Sequence, residues 1–160
     1  MAQIYIKQQA ATALTAGITT GTAGAILQSL NPATNLYCAG PTMTHVTNGP
    51  LDVLIFPTVA STGAVTGNKQ VVVFAQASYD GTAFTSGPIS GISTADEANL
   101  HYVGSIPLNT ASTNQSKALS LAAAFGGTLP YASRLVFKND CGVQLTSASV
   151  YVAEVIGTSV

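Results

Sequence analysis

Two residues at a metal-binding spacing are the first candidates for chemistry in this sequence. Glu97 and His101 lie four positions apart, Asp96 lies beside them, and His45 is a further ligand type elsewhere in the chain. On a helix this spacing places a carboxylate and an imidazole on one face, where both can bind a metal ion. Here the pair spans the polar stretch TADEAN and the start of a strand. We therefore interpret it as a solvated loop beside a strand histidine, and predict no catalytic, cofactor or metal site.

A loop from Gly63 to Lys69 partly matches a phosphate-binding motif. That motif needs four residues between its glycines, with Lys directly after the second glycine and then Ser or Thr. The spacing from Gly63 to Gly67 is too short, Asn68 intervenes, and Gln70 follows Lys69. The segment is therefore predicted to be a hairpin loop between two strands.

The two cysteines, Cys38 and Cys141, are too few for a disulfide scaffold. We predict free thiols that behave as small buried hydrophobic residues, in preference to a redox pair or a metal site.

Four aromatic residues have two alternative interpretations. Tyr79, Phe84, Tyr102 and Tyr131 are expected to be buried in the core, as most aromatic residues in small domains are. The alternative is that they form platforms for a carbohydrate or receptor ligand.

The elements that position these residues are predicted to be strands, since short β-branched and aromatic runs alternate with Gly, Pro, Asn and Thr loops. Asp80-Gly81 predicts a type I′ hairpin turn with Thr82 to Phe84 returning antiparallel. The apolar phase slips along 143–155, which predicts a bulge near Ser147 to Ser149. The candidate strands are 4–7, 35–39, 51–56, 70–79, 100–106, 134–139 and 143–155. The strand at 35–39 is ended by Gly40-Pro41, and the strand at 51–56 is ended by Pro57. Leu100, Tyr102, Gly104 and Ile106 share one face of 100–106, and Leu135 and Phe137 share one face of 134–139.

The segment from Lys117 to Phe125 keeps two interpretations. Its Ala and Leu residues suit a short helix ended by Gly126-Gly127, whereas Leu119, Leu121, Ala123 and Phe125 also alternate as in a strand. The predicted fold class is all-β: a jelly-roll-like antiparallel β-sandwich or barrel with an extended N-terminal arm and one possible short helix.

Residues 1–35 are predicted to form that arm, and 36–160 the β-sandwich domain. The stretch from Ala10 to Ala25 is rich in Thr, Ala and Gly and cannot form much core alone. We expect it to dock either on its own barrel or on a neighbouring subunit. If the arm makes an external contact, removal of residues 1–30 should abolish that contact while the barrel still folds.

Charge is scarce, because only five basic and six acidic residues occur and none lies between Lys7 and Asp52. Ordinary domains carry roughly a quarter charged residues. The scattered cations make no basic run for nucleic acid, and no apolar run approaches the roughly 20 residues of a membrane helix. The first residues do not match a secretion signal, so synthesis in the cytosol is expected. A chain with so little charge is predicted to keep much of its surface against other protein.

The order VVVFAQASYDGTAFTSG, LHYVGSIPL, LPYASRLVFKN and a closing VYVAEV resembles the small β-jelly-roll cement, or decoration, proteins on the capsids of some tailed phages, notably short-tailed ones. The resemblance runs from Val71 to Ile156. It implies a two-sheet sandwich, often trimeric, on the outside of a virion shell and bound to the major capsid protein. The long N-terminal arm and the segment from Asn109 to Ala124 depart from the shorter members of this group.

Three functions remain for comparison with the structure. The first is a structural virion protein that decorates the capsid, with contacts from residues 8–35 and from apolar residues on both faces of a strand, Leu54 and Phe56 opposite Val53 and Ile55. The second is a receptor- or carbohydrate-binding virion module that uses the four aromatic residues. The third, an enzyme, rests only on the Glu97 and His101 pair.

Overall fold

The computed structural model describes residues 4–22 and 24–159, and strands make up most of the regular structure in these ranges. The strands are β1 (Ile4–Gln8), β2 (Thr12–Leu14), β3 (Tyr37–Thr44), β4 (Asp52–Ser61), β5 (Gln70–Ser78), β6 (His101–Pro107), β7 (Gln115–Ser116), β8 (Leu119–Ser120), β9 (Ala132–Asn139) and β10 (Leu145–Ser159). One helical turn, α1 (Leu121–Ala124), and two 3-10 turns, Leu27–Ser29 and Glu97–Asn99, complete the set.

These strands form two antiparallel sheets. The first has the order β1-β10-β4-β7, with β2 paired to β10 and β8 paired to β4. The second has the order β3-β9-β5-β6. One sheet is curled into a half-barrel, and strands account for 46% of the described residues against 7% for helices. The prediction of an all-β antiparallel sandwich is therefore confirmed.

The main core lies between the two sheets and follows the period of two in each strand. In β4, Val53, Ile55 and Val59 are buried, while the alternate Leu54 and Phe56 are only half-buried on the outward face. In β9, Leu135 and Phe137 point into the same core, as predicted from the sequence.

A second, smaller core lies on the outer face of the four-stranded sheet. Tyr37, Val72, Phe74, Leu100 and Val136 form it. The chain between β5 and β6, residues 79–100, supplies Leu100 to this core. The backbone amides of Leu36 and Tyr37 donate to the carbonyl of Gly91 in the same stretch. Residues 79–100 therefore form a third layer over this sheet.

The N-terminal segment docks on its own sandwich, the first of the two possibilities that the sequence left open. β1 and β2 pair with successive parts of β10. Ile18, Leu27 and Leu30 are fully buried and belong to the main core. Gly17 has a φ of 68° and lies so close to the carbonyl of Ala39 that a side chain would collide with it. Because this segment supplies core side chains, we expect the barrel not to fold without residues 1–30, contrary to the expectation from the sequence.

Two prolines lie inside strands that the sequence predicted to end there. β3 continues past Gly40-Pro41, because both residues lie at a bulge between the pairs Ala39↔Val136 and Thr42↔Arg134 on an edge strand. A proline without an amide proton is tolerated at such a position.

β4 likewise continues past Pro57 to Ser61. The carbonyl of Pro57 accepts from the amide of Lys117, which lies between β7 and β8. The nitrogen and the carbonyl of one strand residue point to the same side, so the nitrogen of Pro57 also faces the gap between β7 and β8. The missing N–H therefore breaks no ladder bond with β10.

Local features of two other strands, β6 and β10, differ in detail from the predictions. A bulge in β6 places Val103 between two pairs, so Tyr102 lies on the outer face while Gly104 and Ile106 face inward. The predicted single face from Leu100 to Ile106 is therefore wrong. The bulge in β10 lies at Thr146, just before the predicted range.

The ambiguous segment from Lys117 to Phe125 contains both structures. β8 comes first, and α1 follows as a single turn. The hydroxyl of Ser120 accepts from the amide of Ala123 and caps that turn. The apolar alternation and the helix-forming composition therefore each describe one part of the segment.

Candidate interaction surface

Three of the four aromatic residues singled out in the sequence surround one groove at the end of β5 and the start of β9. The groove has a volume of about 510 Å³, and its lining includes Tyr79, Phe84, Pro130 and Tyr131. Tyr79 is 80% exposed and Tyr131 is 45% exposed, whereas Phe84 is half-buried. We call this feature the aromatic groove. The expectation that these aromatic residues are buried in the core is wrong for both tyrosines and for Tyr102, which is 60% exposed.

In the turn that follows β5, Tyr79 comes directly before Asp80 in the chain and Phe84 comes four residues after it. One carboxylate oxygen of Asp80 accepts from the amides of Ala83, at 2.7 Å, and Thr82, at 2.8 Å. These backbone hydrogen bonds lower the pKa of Asp80 to about 2. Asp80 does not have the positive φ that a type I′ turn requires, so that prediction is wrong and the carboxylate organises the turn instead.

The returning chain makes a single bridge, from Ser78 to Phe84, instead of a strand. Two polar side chains, the buried Gln76 and the half-buried Arg134, hold it in place. Gln76 donates to the carbonyl of Thr85 at 2.6 Å, and Arg134 donates to Gln76 at 2.7 Å. The guanidinium of Arg134 lies 4.2 Å from the centre of the Phe84 ring, a cation–π contact. Burial lowers the pKa of Arg134. Phe84, which forms one wall of the groove, is therefore held by its contact with Arg134 and by the hydrogen bonds of Gln76.

Most of the charged side chains make hydrogen bonds or an ion pair within the chain. Burial raises the pKa of Glu97, but hydrogen bonds from Lys138 and Tyr37 outweigh it and hold this pKa below its usual value. The ion pair between Lys138 and Glu97 is 2.8 Å long. The internal contacts are Asp52 with Ser120 and Ala122, Asp140 with Asn68, Glu154 with Asn48, Arg134 with Gln76, and Glu97 with Lys138.

The residues considered for a metal site each have different partners. Glu97 contacts Lys138 and Tyr37, whereas the ring of His101 lies 4.7 Å from that of Phe125. His45 is buried and its Nε2 lies 2.8 Å from the hydroxyl of Ser133. Within residues 4–22 and 24–159, no group of three or more His, Cys, Asp or Glu side chains is placed to hold a metal ion.

The loop from Gly63 to Lys69 connects β4 to β5, as predicted, but it is not a hairpin loop, because these two strands lie in different sheets. Its amides at Thr66 and Gly67 donate to the carbonyl of Cys141, and that of Asn68 donates to Asp140. These amides are therefore committed within the fold and do not point at a ligand.

Both cysteines are free and buried in the main core, as predicted. Burial raises the pKa of Cys38 to about 12 and also raises the pKa of Cys141. Both thiols therefore remain protonated at neutral pH and are poor nucleophiles.

A second apolar surface lies on the outward face of the other sheet. Tyr151, which is 46% exposed, pairs across the strands with Phe56, and Leu54 lies two residues along β4. The sequence identified Leu54 and Phe56 as candidates for contact, because both faces of this strand are apolar. It gave no signal for Tyr151, since only the pairing of β10 with β4 brings that ring beside Phe56.

The aromatic groove itself has only a partial signal in the sequence. Tyr79 and Phe84 flank a recognisable turn, but Pro130 and Tyr131 come from a distant segment. Pairing of Ser78 with Ala132 places the two segments together.

Comparisons with known proteins give no further assignment. No family model matches the chain, and no curated protein matches it either. None of the helices in the described ranges is long and apolar enough to cross a membrane.

Proposed function

We propose that this protein is a structural virion protein that decorates a phage capsid by binding the shell of major capsid protein, without catalysing a reaction. The observation that carries the proposal is the aromatic groove, an exposed apolar surface on a chain whose charges are largely engaged internally. The resemblance in strand order to capsid cement proteins supplies the identity of the partner.

Such an apolar surface is unfavourable when it is left in contact with water. Exposed tyrosines next to proline and phenylalanine are the residue types enriched at the centre of protein interfaces, where charged residues are depleted. The residues lining the groove include no Asp, Glu, Lys or Arg. A partner therefore gains apolar contact there without removing the water from a charged group.

The groove is the proposed centre of the contact with the capsid. The exposed side of residues 8–35 and the face carrying Leu54, Phe56 and Tyr151 would contribute to the same shell or to contacts between copies of the chain. A homo-oligomer, with a trimer favoured by the resemblance, would use one surface for its own copies and another for the shell. Localisation on the capsid exterior, after synthesis in the host cytoplasm, follows from this role.

The experiment compares two tyrosines of the groove with one outside it. Particles lacking the protein are mixed with wild type, with the double variant Tyr79→Ser and Tyr131→Ser, or with Tyr102→Ser, and bound protein is measured after sedimentation. Two aromatic anchors are worth about 2 kcal/mol or more together, so the double variant should bind at least about tenfold more weakly. Tyr102→Ser removes an equally exposed phenol from the same sheet and should bind like wild type.

The copy number of bound wild type gives a second readout. A number that matches the lattice of the capsid supports decoration, whereas a few copies per particle indicate a fibre or tail component. Failure of the wild-type protein to bind particles would refute the proposal. Equal binding by the double variant would remove the groove from it.

A carbohydrate- or receptor-binding function is the second candidate. It is favoured by the convergence of Tyr79, Phe84 and Tyr131 on one groove, because aromatic faces form platforms for sugar rings. A glycan array separates the two functions. Selective binding of one glycan class, lost in the Tyr79→Ser and Tyr131→Ser variant, supports this second function, and a capsid decoration protein should show no selectivity.

A further inference from the structure

A cavity of about 460 Å³ opens between the two sheets and has a different lining from the aromatic groove. Its apolar walls come from Met43, Val53 and Val152. The first is on β3, and the other two are on the paired strands β4 and β10. This volume is within the range of sites for small ligands or single side chains.

Among the described residues that line this cavity, Glu154 is the one acidic group. Glu154 follows Val152 by two residues on β10, so both side chains lie on the inward face. Its Oε2 accepts from the side-chain amide of Asn48 at 2.6 Å. Oε1 accepts no hydrogen bond from any residue that the structure describes. The carboxylate is thus held in position with one oxygen available.

No cation of the lining offsets this charge. The described residues of the lining include neither Lys nor Arg, and His45 is the one histidine among them. Burial lowers the pKa of His45, and the nearby carboxylate of Glu154 only partly opposes that effect. The ring is therefore neutral at pH 7, and its Nε2 is committed to Ser133.

The charge and the apolar walls of this cavity determine which class of ligand can bind in it. A phosphate or carboxylate would be repelled by Glu154. A metal ion needs several oxygen or nitrogen ligands, whereas the cavity offers one carboxylate and a histidine whose Nε2 has a partner. An ammonium group on an alkyl chain matches both parts, because its charge pairs with Oε1 and its methylenes pack on Met43, Val53 and Val152.

We propose that this cavity is a binding site for a primary alkylammonium group, carried either by a lysine side chain of a protein or by a free diamine. This inference does not rest on the proposed capsid role. It gives the fold a charge-selective contact that is separate from the uncharged aromatic groove.

The test uses NMR titration of the full-length protein with three small molecules. Nα-acetyl-lysine N-methylamide and 1,5-diaminopentane carry the ammonium group, and Nα-acetyl-norleucine N-methylamide has a similar chain without it. The side-chain amide of Asn48 reports binding directly, since it donates to Glu154. Both ammonium compounds should shift this signal with saturation, and the norleucine compound should bind at least about tenfold more weakly.

Variants assign the effect to the carboxylate. Glu154→Gln keeps an acceptor for Asn48 but removes the charge, and should weaken binding of the ammonium compounds about tenfold or more. Asp96→Asn removes an acidic group outside the cavity and should bind like wild type. An unchanged thermal midpoint for each variant shows that its fold is intact.

Preference for the lysine derivative identifies a protein side chain as the source, and preference for the diamine identifies a free ligand. Equal shifts with the norleucine compound, or undiminished binding by a folded Glu154→Gln, would overturn the proposal.

Discussion

At the scale of single residues, the buried polar side chains of this protein all have partners within the described part of the chain. Asn139, which is fully buried, donates to the carbonyls of Leu30 and Val143. Such pairing offsets the cost of removing these groups from water. His45 differs from Asn139 because it can acquire a charge in its buried position.

The stability of the fold should fall on acidification because of His45. Burial lowers its pKa below the usual 6.5, so the unfolded chain takes up a proton at a higher pH than the folded chain does. The unfolded state therefore binds more protons once the pH falls below about 6.5, and the free energy of unfolding decreases there. Thermal unfolding midpoints measured from about pH 7.5 to about pH 5 should show this decrease.

The two histidines allow a matched comparison. His45→Gln removes the titrating group but keeps a side chain that can bond to Ser133, so its unfolding midpoint should depend less on pH over this interval. His101→Gln, on β6 against Phe125, is the matched variant with which the profile of His45→Gln is compared. An identical pH profile for wild type and His45→Gln would contradict the prediction.

At the scale of elements, the N-terminal segment is part of the sandwich and not a separable arm. Its amides at Leu27 and Gln28 donate to the carbonyls of Gly17 and Ile18, which folds the segment back on itself. The amide of Leu145, at the start of β10, donates to the carbonyl of Leu30. The segment therefore closes one end of the core.

Deletion of residues 1–30 should abolish cooperative unfolding. It removes three fully buried aliphatic side chains, Ile18, Leu27 and Leu30, and each costs about 2–5 kcal/mol when truncated to alanine alone. The combined loss is comparable to the whole stability of a typical domain, about 5–15 kcal/mol. Circular dichroism during heating measures the transition.

A point variant gives the same test without a deletion. Leu27→Ala should lower the free energy of unfolding by about 2–5 kcal/mol, whereas the exposed neighbour Gln28→Ala should change it by less than about 0.5 kcal/mol. A deletion variant that unfolds cooperatively near the wild-type midpoint would show that the sandwich does not need this segment.

At the scale of the whole molecule, the scarcity of charge determines the kind of association that is available. The ion pair of Glu97 and Lys138 and the contacts of Asp52, Asp140 and Arg134 use these groups within the fold. The described residues that line the aromatic groove include no charged side chain. Contacts made through such a surface depend on apolar burial and packing, and less on attraction between opposite charges.

Binding to the capsid shell should therefore be nearly independent of ionic strength. Raising NaCl from about 0.05 M to about 0.5 M screens exposed charges but leaves apolar burial intact, so Kd should change by less than about threefold. Sedimentation with particles at each salt concentration measures this, with a protein of known charge-driven binding as the control. A loss of affinity of tenfold or more would show that the remaining lysines make the contact.

Much of this fold could be predicted from the sequence because its signals are local. The strands from Gln70 and from Ala132, the short first strand and the presence of a loop ending at Lys69 follow from β-branched runs and turn residues within a few positions of each other. The free, buried cysteines follow in the same way from their small number. That the loop ending at Lys69 crosses between the sheets and is not a hairpin depends on tertiary pairing. Prolines were the main source of error, because whether a missing amide proton matters depends on the neighbouring strand. At Pro57 the nitrogen faces the gap between β7 and β8, where no strand residue pairs with it.

The sequence by itself determined the all-β class and the low charge, since composition and short-range periodicity contain both. Only the tertiary structure decided which apolar residues remain exposed. Tyr79 and Tyr131 are far apart in the chain, and the pairing of β5 with β9 places them on one groove. Tertiary contacts also made Ile18, Leu27 and Leu30 part of the core and placed Glu154 opposite Met43 and His45. The physical reason is that burial is a property of pairs distant in sequence, whereas strand propensity is a property of neighbours.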